Sequence, residues 1–148
     1  FVEEALRSTV NDLMTYAQHM EMHDLACFVD LLETPGLPEE TYGDLVDRLR
    51  RSAARSAVTD PAEWNSYNLK PLTIVHAPDS PLAAAFEPAV IDANLDYLLA
   101  EQRADGTWAP GWSWDFVDTD GWAAAAREWT GVLTLRNLRT LRAFGRIE

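Results

Sequence analysis

The sequence predicts an all-α protein, and three observations support this fold class. Apolar residues recur every three or four positions in several long stretches, which is the period of an amphipathic helix. No stretch alternates apolar and polar residues as a half-buried strand does. The breaks between the predicted helices are mostly short and contain proline or glycine, which favours antiparallel helical hairpins.

Each predicted helix has a recognisable apolar face or end signal. Pro35 and Gly36 end the second helix, Pro38 suits the first position of the third, and Gly145 ends the last. The fourth helix opens at Phe86 or Pro88. The predicted helices span residues 2–21, 23–34, 38–57, 86–102 and 122–144.

Two segments, residues 59–81 and 103–121, are predicted to be irregular. Four prolines forbid a long helix in the first of them: Pro61, Pro71, Pro78 and Pro81. This segment is too rich in apolar side chains for a flexible linker, since it contains Trp64, Tyr67, Leu69, Leu72, Ile74 and Val75. We therefore expect a packed crossing, of the kind that can carry function.

Composition limits the class of protein. The 148 residues, 47% hydrophobic and 24% charged, fit one soluble globular domain. The net charge of −12 argues against binding to nucleic acid or anionic lipid. The single cysteine, Cys27, favours a reducing compartment, hence a cytoplasmic location. No apolar run approaches the roughly 18 residues of a membrane span, and no cofactor is expected.

The stretch from Asn94 to Trp129 organises the chain. A predicted helix ends at Gln102, a tight turn follows at Gly106, and Trp108 lies two residues later. Gly106 can adopt the positive φ that ends a helix. The Gln102 amide can bond open backbone groups at a neighbouring helix end, and the Trp108 indole can cover the joint.

This spacing resembles the Gln-x-x-x-Gly-x-Trp (QW) motif of the squalene–hopene cyclase and prenyltransferase-like α/α-toroid superfamily. Gln102, Gly106 and Trp108 match it, and Tyr97-Leu98 matches its preceding aromatic-aliphatic pair. From about Met22 onward the chain also resembles the C-terminal part of uncharacterised actinobacterial members. The resemblance implies a toroid of helical hairpins in which the motif residues are structural.

The length has a consequence for that resemblance. A chain of 148 residues is too short to close a full ring of hairpins, and it starts at Phe1. We therefore expect a fragment or one piece of a larger assembly, with either self-association or a missing N-terminal portion completing it.

Asp118-Thr119-Asp120 is the candidate catalytic motif. It resembles the Asp-x-Asp-Asp acid motif with which class II terpene cyclases protonate an alkene, although Gly121 stands in place of the last Asp. The resemblance implies Asp118 and Asp120 as the general acid. The alternative is a polar turn that caps the last helix.

The tryptophans are the candidate substrate-binding residues. Aromatic faces stabilise carbocations and stack on sugars, so Trp112, Trp114 and Trp122 are candidates for an apolar or isoprenoid-like ligand. Trp112 and Trp114 alternate along an extended segment and should face opposite ways. The alternative is a core cluster that seals a helical joint.

His19, His23 and Cys27 share a helix face at four-residue spacing and are the candidate zinc ligands. Helix packing is the preferred interpretation, and no metal site is predicted. For function, we expect a terpenoid cyclase- or prenyltransferase-like C-terminal domain that is inactive alone. The alternatives are a non-catalytic helical interaction module and a carbohydrate-binding or carbohydrate-cleaving α/α domain.

Overall fold

The computed structural model describes residues 2–15, 20–33 and 36–148, and within these ranges the chain is all-helical, without a strand. This confirms the predicted fold class. The helices are α1 (Val2–Thr15), α2 (Met22–Leu32), α3 (Glu39–Ser56), α4 (Pro88–Ala100) and α5 (Thr119–Ala143). Three single-turn 3-10 helices, Pro61–Glu63, Pro71–Thr73 and Ala83–Ala85, lie between α3 and α4.

α2 and α3 form the principal helix pair of the core. Their facing apolar residues recur every three or four positions, so one side of each helix is buried while the other is solvated. The buried residues are Leu25, Val29 and Leu32 on α2, and Leu45, Val46, Leu49 and Ala53 on α3.

The segment between α3 and α4 is irregular in backbone but buried in its side chains. Trp64 is buried, and its indole nitrogen donates to the Val58 carbonyl oxygen at 2.7 Å. The buried Asn94 side chain of α4 accepts a 2.9 Å hydrogen bond from the Leu72 backbone N–H. Side-chain hydrogen bonds thus add to the backbone bonds of the short turns, and the Asn94 bond fixes the segment against α4.

The helix ends differ from the predicted ones for local reasons. Met20 and Glu21 are not helical, although the first helix was expected to reach residue 21. α4 ends at Ala100, before the predicted residue 102. α5 begins at Thr119, earlier than the predicted residue 122, because the Asp118 carboxylate accepts from the Gly121 N–H at 3.0 Å and caps the helix.

The other end of α5 closes in a Schellman motif. Gly145 has φ +66°, and the Arg146 N–H donates to the Leu141 carbonyl oxygen at 2.8 Å. The same arginine spans to α4, since its Nη1 lies 3.0 Å from Asp96 Oδ1 and its Nη2 lies 3.1 Å from Asp92 Oδ1. The C-terminal end of α5 is therefore tied to α4.

Along the rest of its length α5 is largely solvent-exposed. Only Leu133, Thr140 and Leu141 of this 25-residue helix are buried. Within the described ranges, no helix combines the length and apolar character that crossing a bilayer requires.

Candidate functional site

Trp108 joins α4 to α5. Its ring is buried, and its indole nitrogen donates to the Leu98 carbonyl oxygen near the end of α4 at 2.8 Å. Its backbone N–H donates to the Thr134 hydroxyl of α5 at 3.2 Å. A single residue thus bonds to a polar group on each helix while its ring fills the joint.

Gln102 acts differently from its expected role. Its side-chain nitrogen donates to the Gly106 carbonyl oxygen at 3.0 Å, so it closes its own turn rather than bonding a neighbouring helix end. Gly106 has a positive φ, at +82°, but α4 ends at Ala100, so this glycine shapes the turn that follows the helix and does not end the helix as expected. The turn is further held by Asp105 Oδ1, which accepts from the Thr107 N–H at 3.1 Å and from the Thr107 hydroxyl at 2.7 Å.

The hydrogen bonds of this turn shift the pKa of Asp105. The hydrogen bonds from the Thr107 hydroxyl and backbone N–H stabilise the ionised carboxylate and lower the pKa of Asp105 below its usual value. The turn between α4 and Trp108 is thus built from its own polar groups, and it positions the tryptophan rather than forming a cavity.

An aromatic row runs from the irregular segment between α3 and α4 (residues 57–87, the crossing segment) to α5. Tyr67 lies 5.8 Å from Trp112 between ring centroids, and Trp112 lies 5.5 Å from Trp129 at an interplanar angle of 76°. Both separations are within the range of favourable aromatic pairs. We call Tyr67, Trp112 and Trp129 the aromatic row. Tyr67 and Trp129 are exposed and Trp112 is half-buried, so the row is partly open to solvent.

An open groove of about 560 Å³ begins at the Tyr67 end of the row. It lies where the start of α2, the end of α3 and the crossing segment meet. Most of its lining is apolar or thioether, with the charged Glu21 and Arg55 beside it: Met20, Glu21, Met22, Arg55, Ser56, Val58, Tyr67, Asn68 and Leu69. Its volume falls in the range of small-molecule sites.

The predicted trio of tryptophans is divided between two places. Trp112 contacts Tyr67 and Trp129, whereas Trp114 pairs with Trp122 at a centroid distance of 6.0 Å. The first pair of contacts reaches the groove, and the second lies at the start of α5. Trp112 and Trp114 thus belong to different clusters, as their alternation in the sequence indicates.

Tyr67, which no sequence motif singled out, is the residue that links the row to the groove. Its hydroxyl lies 3.4 Å from His23 Nε2, and the two rings are 6.3 Å apart. The residues it contacts are remote in sequence, so a single chain offers no local spacing that would reveal them. The richness of the crossing segment in aromatic and aliphatic residues was the one available signal.

Asp118 and Asp120 lie on the surface at the start of α5. Asp118 is the N-cap, and Asp120 lies in the first turn, where its charge favours the helix dipole. A Cβ at Gly121 would collide with the Asp118 carboxylate, so the glycine makes room for the cap. Protonation of an alkene needs an acid in a dry cavity, and both carboxylates are exposed.

Of the three candidate zinc ligands, the structure describes His23 and Cys27. His19 lies outside the described residues; Cys27 is exposed, and His23 contacts Tyr67. Among the described residues, no three His, Cys, Asp or Glu side chains converge as metal ligands. The absence of zinc stays a prediction.

Comparison of the chain with protein-family models, curated proteins and solved structures found no match.

Proposed function

We propose that this chain is a helical binding module that holds an apolar, isoprenoid-like small molecule in the groove beside Tyr67. The observation that carries the proposal is the continuity between the groove and the aromatic row, in which Tyr67 is both a groove wall and the neighbour of Trp112. An apolar chain in the groove would extend onto the face of Trp112.

The groove lining suits a flexible hydrocarbon. Met22 is an unbranched, half-buried thioether that adapts to irregular apolar shapes. Val58 adds half-buried aliphatic surface and Tyr67 adds an exposed ring, whereas Met20 and Leu69 are almost fully buried in the core. Burying apolar surface contributes about 25 cal/mol per Å², so a polyprenyl chain that lies against the apolar part of this lining gains affinity from it.

The same arrangement favours binding without turnover. Asp118 and Asp120 occupy the exposed cap of α5, and Asp118 is engaged by the Gly121 N–H. The groove is open, whereas carbocation chemistry needs water to be excluded. The resemblance of Gln102, Gly106 and Trp108 to the QW motif supports a toroid-like origin for the module, with a reaction possible only in a complete ring.

Calorimetric titration with farnesol tests the binding. We expect saturable binding that weakens by roughly tenfold or more in Tyr67→Ala and in Trp112→Ala, because each removes a large apolar contact. Trp114→Ala removes a tryptophan of the other cluster and serves as the matched control, with unchanged affinity expected. Equal affinity of Tyr67→Ala and the parent chain would place the ligand elsewhere and defeat the proposal.

Product analysis by mass spectrometry after incubation with polyprenyl diphosphates tests the lack of turnover. No cyclised or transferred product is expected. Product that disappears in Asp120→Asn would assign Asp120 as a general acid and replace the binding role with a catalytic one.

Carbohydrate binding is the second candidate, favoured by the solvent-exposed Tyr67 and Trp129 faces at the two ends of the row. Exposed aromatic rings stack on sugars as well as on apolar chains. A soluble cello-oligosaccharide that binds in a Tyr67-dependent manner, when farnesol does not bind, would select this function.

A further inference from the structure

α5 carries large apolar side chains that the rest of the described chain leaves partly exposed. The exposed fractions are 55% for Val132 and 52% for Leu135 on the outward face, and 40% for Trp129 and 37% for Leu138 on the two flanks of that face. A helix that turns several large apolar residues to solvent along its length marks an interaction surface rather than a scatter of single residues. The question is which partner fits it.

The order of charged and apolar residues on this face indicates which partner fits it. Glu128, Val132, Leu135 and Arg139 follow one another at spacings of four, three and four, so they share one side of the helix. All four are exposed. We call them the α5 stripe. The acidic end, the two apolar positions and the basic end are spaced symmetrically about the midpoint between Val132 and Leu135.

From this order we propose that the partner is a second copy of the chain, with the two α5 helices packed antiparallel about a twofold axis at that midpoint. Val132 then packs on the partner subunit's Leu135. Glu128 faces the partner subunit's Arg139, and Arg139 faces the partner subunit's Glu128. The interface is isologous, since one surface serves both subunits.

Charge decides between the two orientations of the helix pair. In a parallel pair, Glu128 meets its own counterpart and Arg139 meets its own, so both ends repel. In the antiparallel pair, each end places opposite charges together and the apolar positions still meet. The whole of α5 has the same polarity, with Asp118 and Asp120 at its beginning and Arg142 in its last turn.

The same polarity argues for a second copy over an unrelated partner. The chain carries a net charge of −12, so two random surfaces of it repel. The second half of α5 is an exception, because its arginines form a basic end on an acidic protein. The acidic beginning of α5 in a second copy has the complementary charge. Every copy of the chain carries both ends, so this partner is always present.

Sedimentation equilibrium of the full chain at low salt tests the proposal. We expect a reversible dimer that Glu128→Arg and Arg139→Glu each weaken on the order of tenfold, because every reversal turns two attractive pairs into repulsive ones. Glu4→Arg on α1 and Arg51→Glu on α3 are matched charge controls, since both residues are exposed away from the α5 stripe, and they should leave the dimer unchanged.

A mixing experiment separates this geometry from any general effect of charge. In a heterodimer of Glu128→Arg with Arg139→Glu, both charge pairs are again opposite in sign. An equimolar mixture should therefore dimerise as strongly as the parent chain, although each variant alone does not. Leu135→Asp should abolish the dimer at the concentrations used, with the helical circular dichroism unchanged.

Three outcomes overturn the proposal. These are a parent chain that stays monomeric at about 100 µM, a dimer that Leu135→Asp leaves intact, and a mixture that fails to restore association. Because Tyr67 lies outside the α5 stripe, the two proposals fail separately. A Tyr67→Ala variant that binds farnesol as tightly as the parent chain defeats the binding proposal alone, and a Leu135→Asp variant that still dimerises defeats the dimer proposal alone.

Discussion

The Trp108 indole nitrogen donates a 2.8 Å hydrogen bond to the Leu98 carbonyl oxygen, ten residues earlier in the chain. This contact links the last turns of α4 to the buried ring that supports α5. Trp108→Ala should lower the free energy of unfolding by about 3 kcal/mol or more, since it leaves a large cavity. Trp108→Phe keeps most of the volume but removes the donor, and should cost about 1 kcal/mol for the bond plus the loss of ring area.

Urea unfolding followed by circular dichroism measures both changes. Unchanged unfolding midpoints for the two variants would mean that the joint does not depend on this residue and that the match to the QW motif has no structural content.

Position 106 requires glycine because of its backbone conformation and not because a side chain would lack space. Its φ is +82°, and a Cβ there would meet only Gln102 Nε2, at 3.9 Å. Gly106→Ala should therefore cost about 1–2 kcal/mol from backbone strain alone. Gly43 provides the control, because it lies inside α3 with open space around a Cβ. Gly43→Ala should stabilise by up to about 1 kcal/mol through helix propensity. Two changes of the same sign and size would contradict this explanation.

The cap at the start of α5 predicts a non-additive pair of substitutions. Asp118→Ala should cost about 1 kcal/mol, because the Gly121 N–H loses its acceptor. Gly121→Ala should gain little or be harmful, since its Cβ displaces the Asp118 carboxylate. Once Asp118 is already alanine, the same Gly121→Ala change should stabilise by about 1 kcal/mol, as expected for glycine inside a helix. Thermal unfolding of the two single variants and the double variant completes the cycle, and strict additivity would reject the steric argument.

The sequence predicts the fold well wherever a local rule decides it. Helical periodicity gives the all-α class, and the spacing of Gly106 and Trp108 places the turn and the buried ring that follows it. The bond of Gln102 to its own turn was not predicted, because the spacing alone does not say which acceptor the amide finds. Tyr67 was missed because its partners come from other elements and meet it only through tertiary packing.

The ion pairs of Arg146 are also contacts that the sequence does not predict. The sequence places Asp92 and Asp96 on one helix face and Arg146 at the end of another helix. It gives no reason to join them. The structure brings the guanidinium between the two carboxylates, because the Schellman turn at Gly145 redirects the chain.

The lowered pKa of Asp105 should depend measurably on Thr107. Thr107 lowers the pKa of Asp105 chiefly through its hydroxyl, so Thr107→Val should raise that pKa toward the ordinary value of about 3.9. A carboxylate with a lowered folded-state pKa stabilises the fold above its unfolded pKa, and this stability is lost as the pH falls through the folded pKa. Carboxyl titration by NMR gives the shift directly. An unchanged titration midpoint in Thr107→Val would show that the hydroxyl does not hold the charge.

The last prediction concerns how the end of α5 is held. Arg146 bridges Asp92 and Asp96 at 3.1 and 3.0 Å, and because these side chains are substantially exposed, the bridge should contribute only about 0.5–1 kcal/mol. Arg146→Ala should therefore change global stability slightly but speed amide hydrogen exchange in the last turn of α5, where local opening needs less energy than global unfolding. Arg146→Lys keeps the charge but lacks the guanidinium fork that engages two carboxylates. Its exchange rate should therefore lie between those of the parent chain and Arg146→Ala. Arg142→Ala, at an exposed position in the same turn, is the matched control. Equal exchange rates in Arg146→Ala and Arg142→Ala would show that the loss of a helix-terminal charge explains the effect and that the bridge to α4 does not hold this end of the helix.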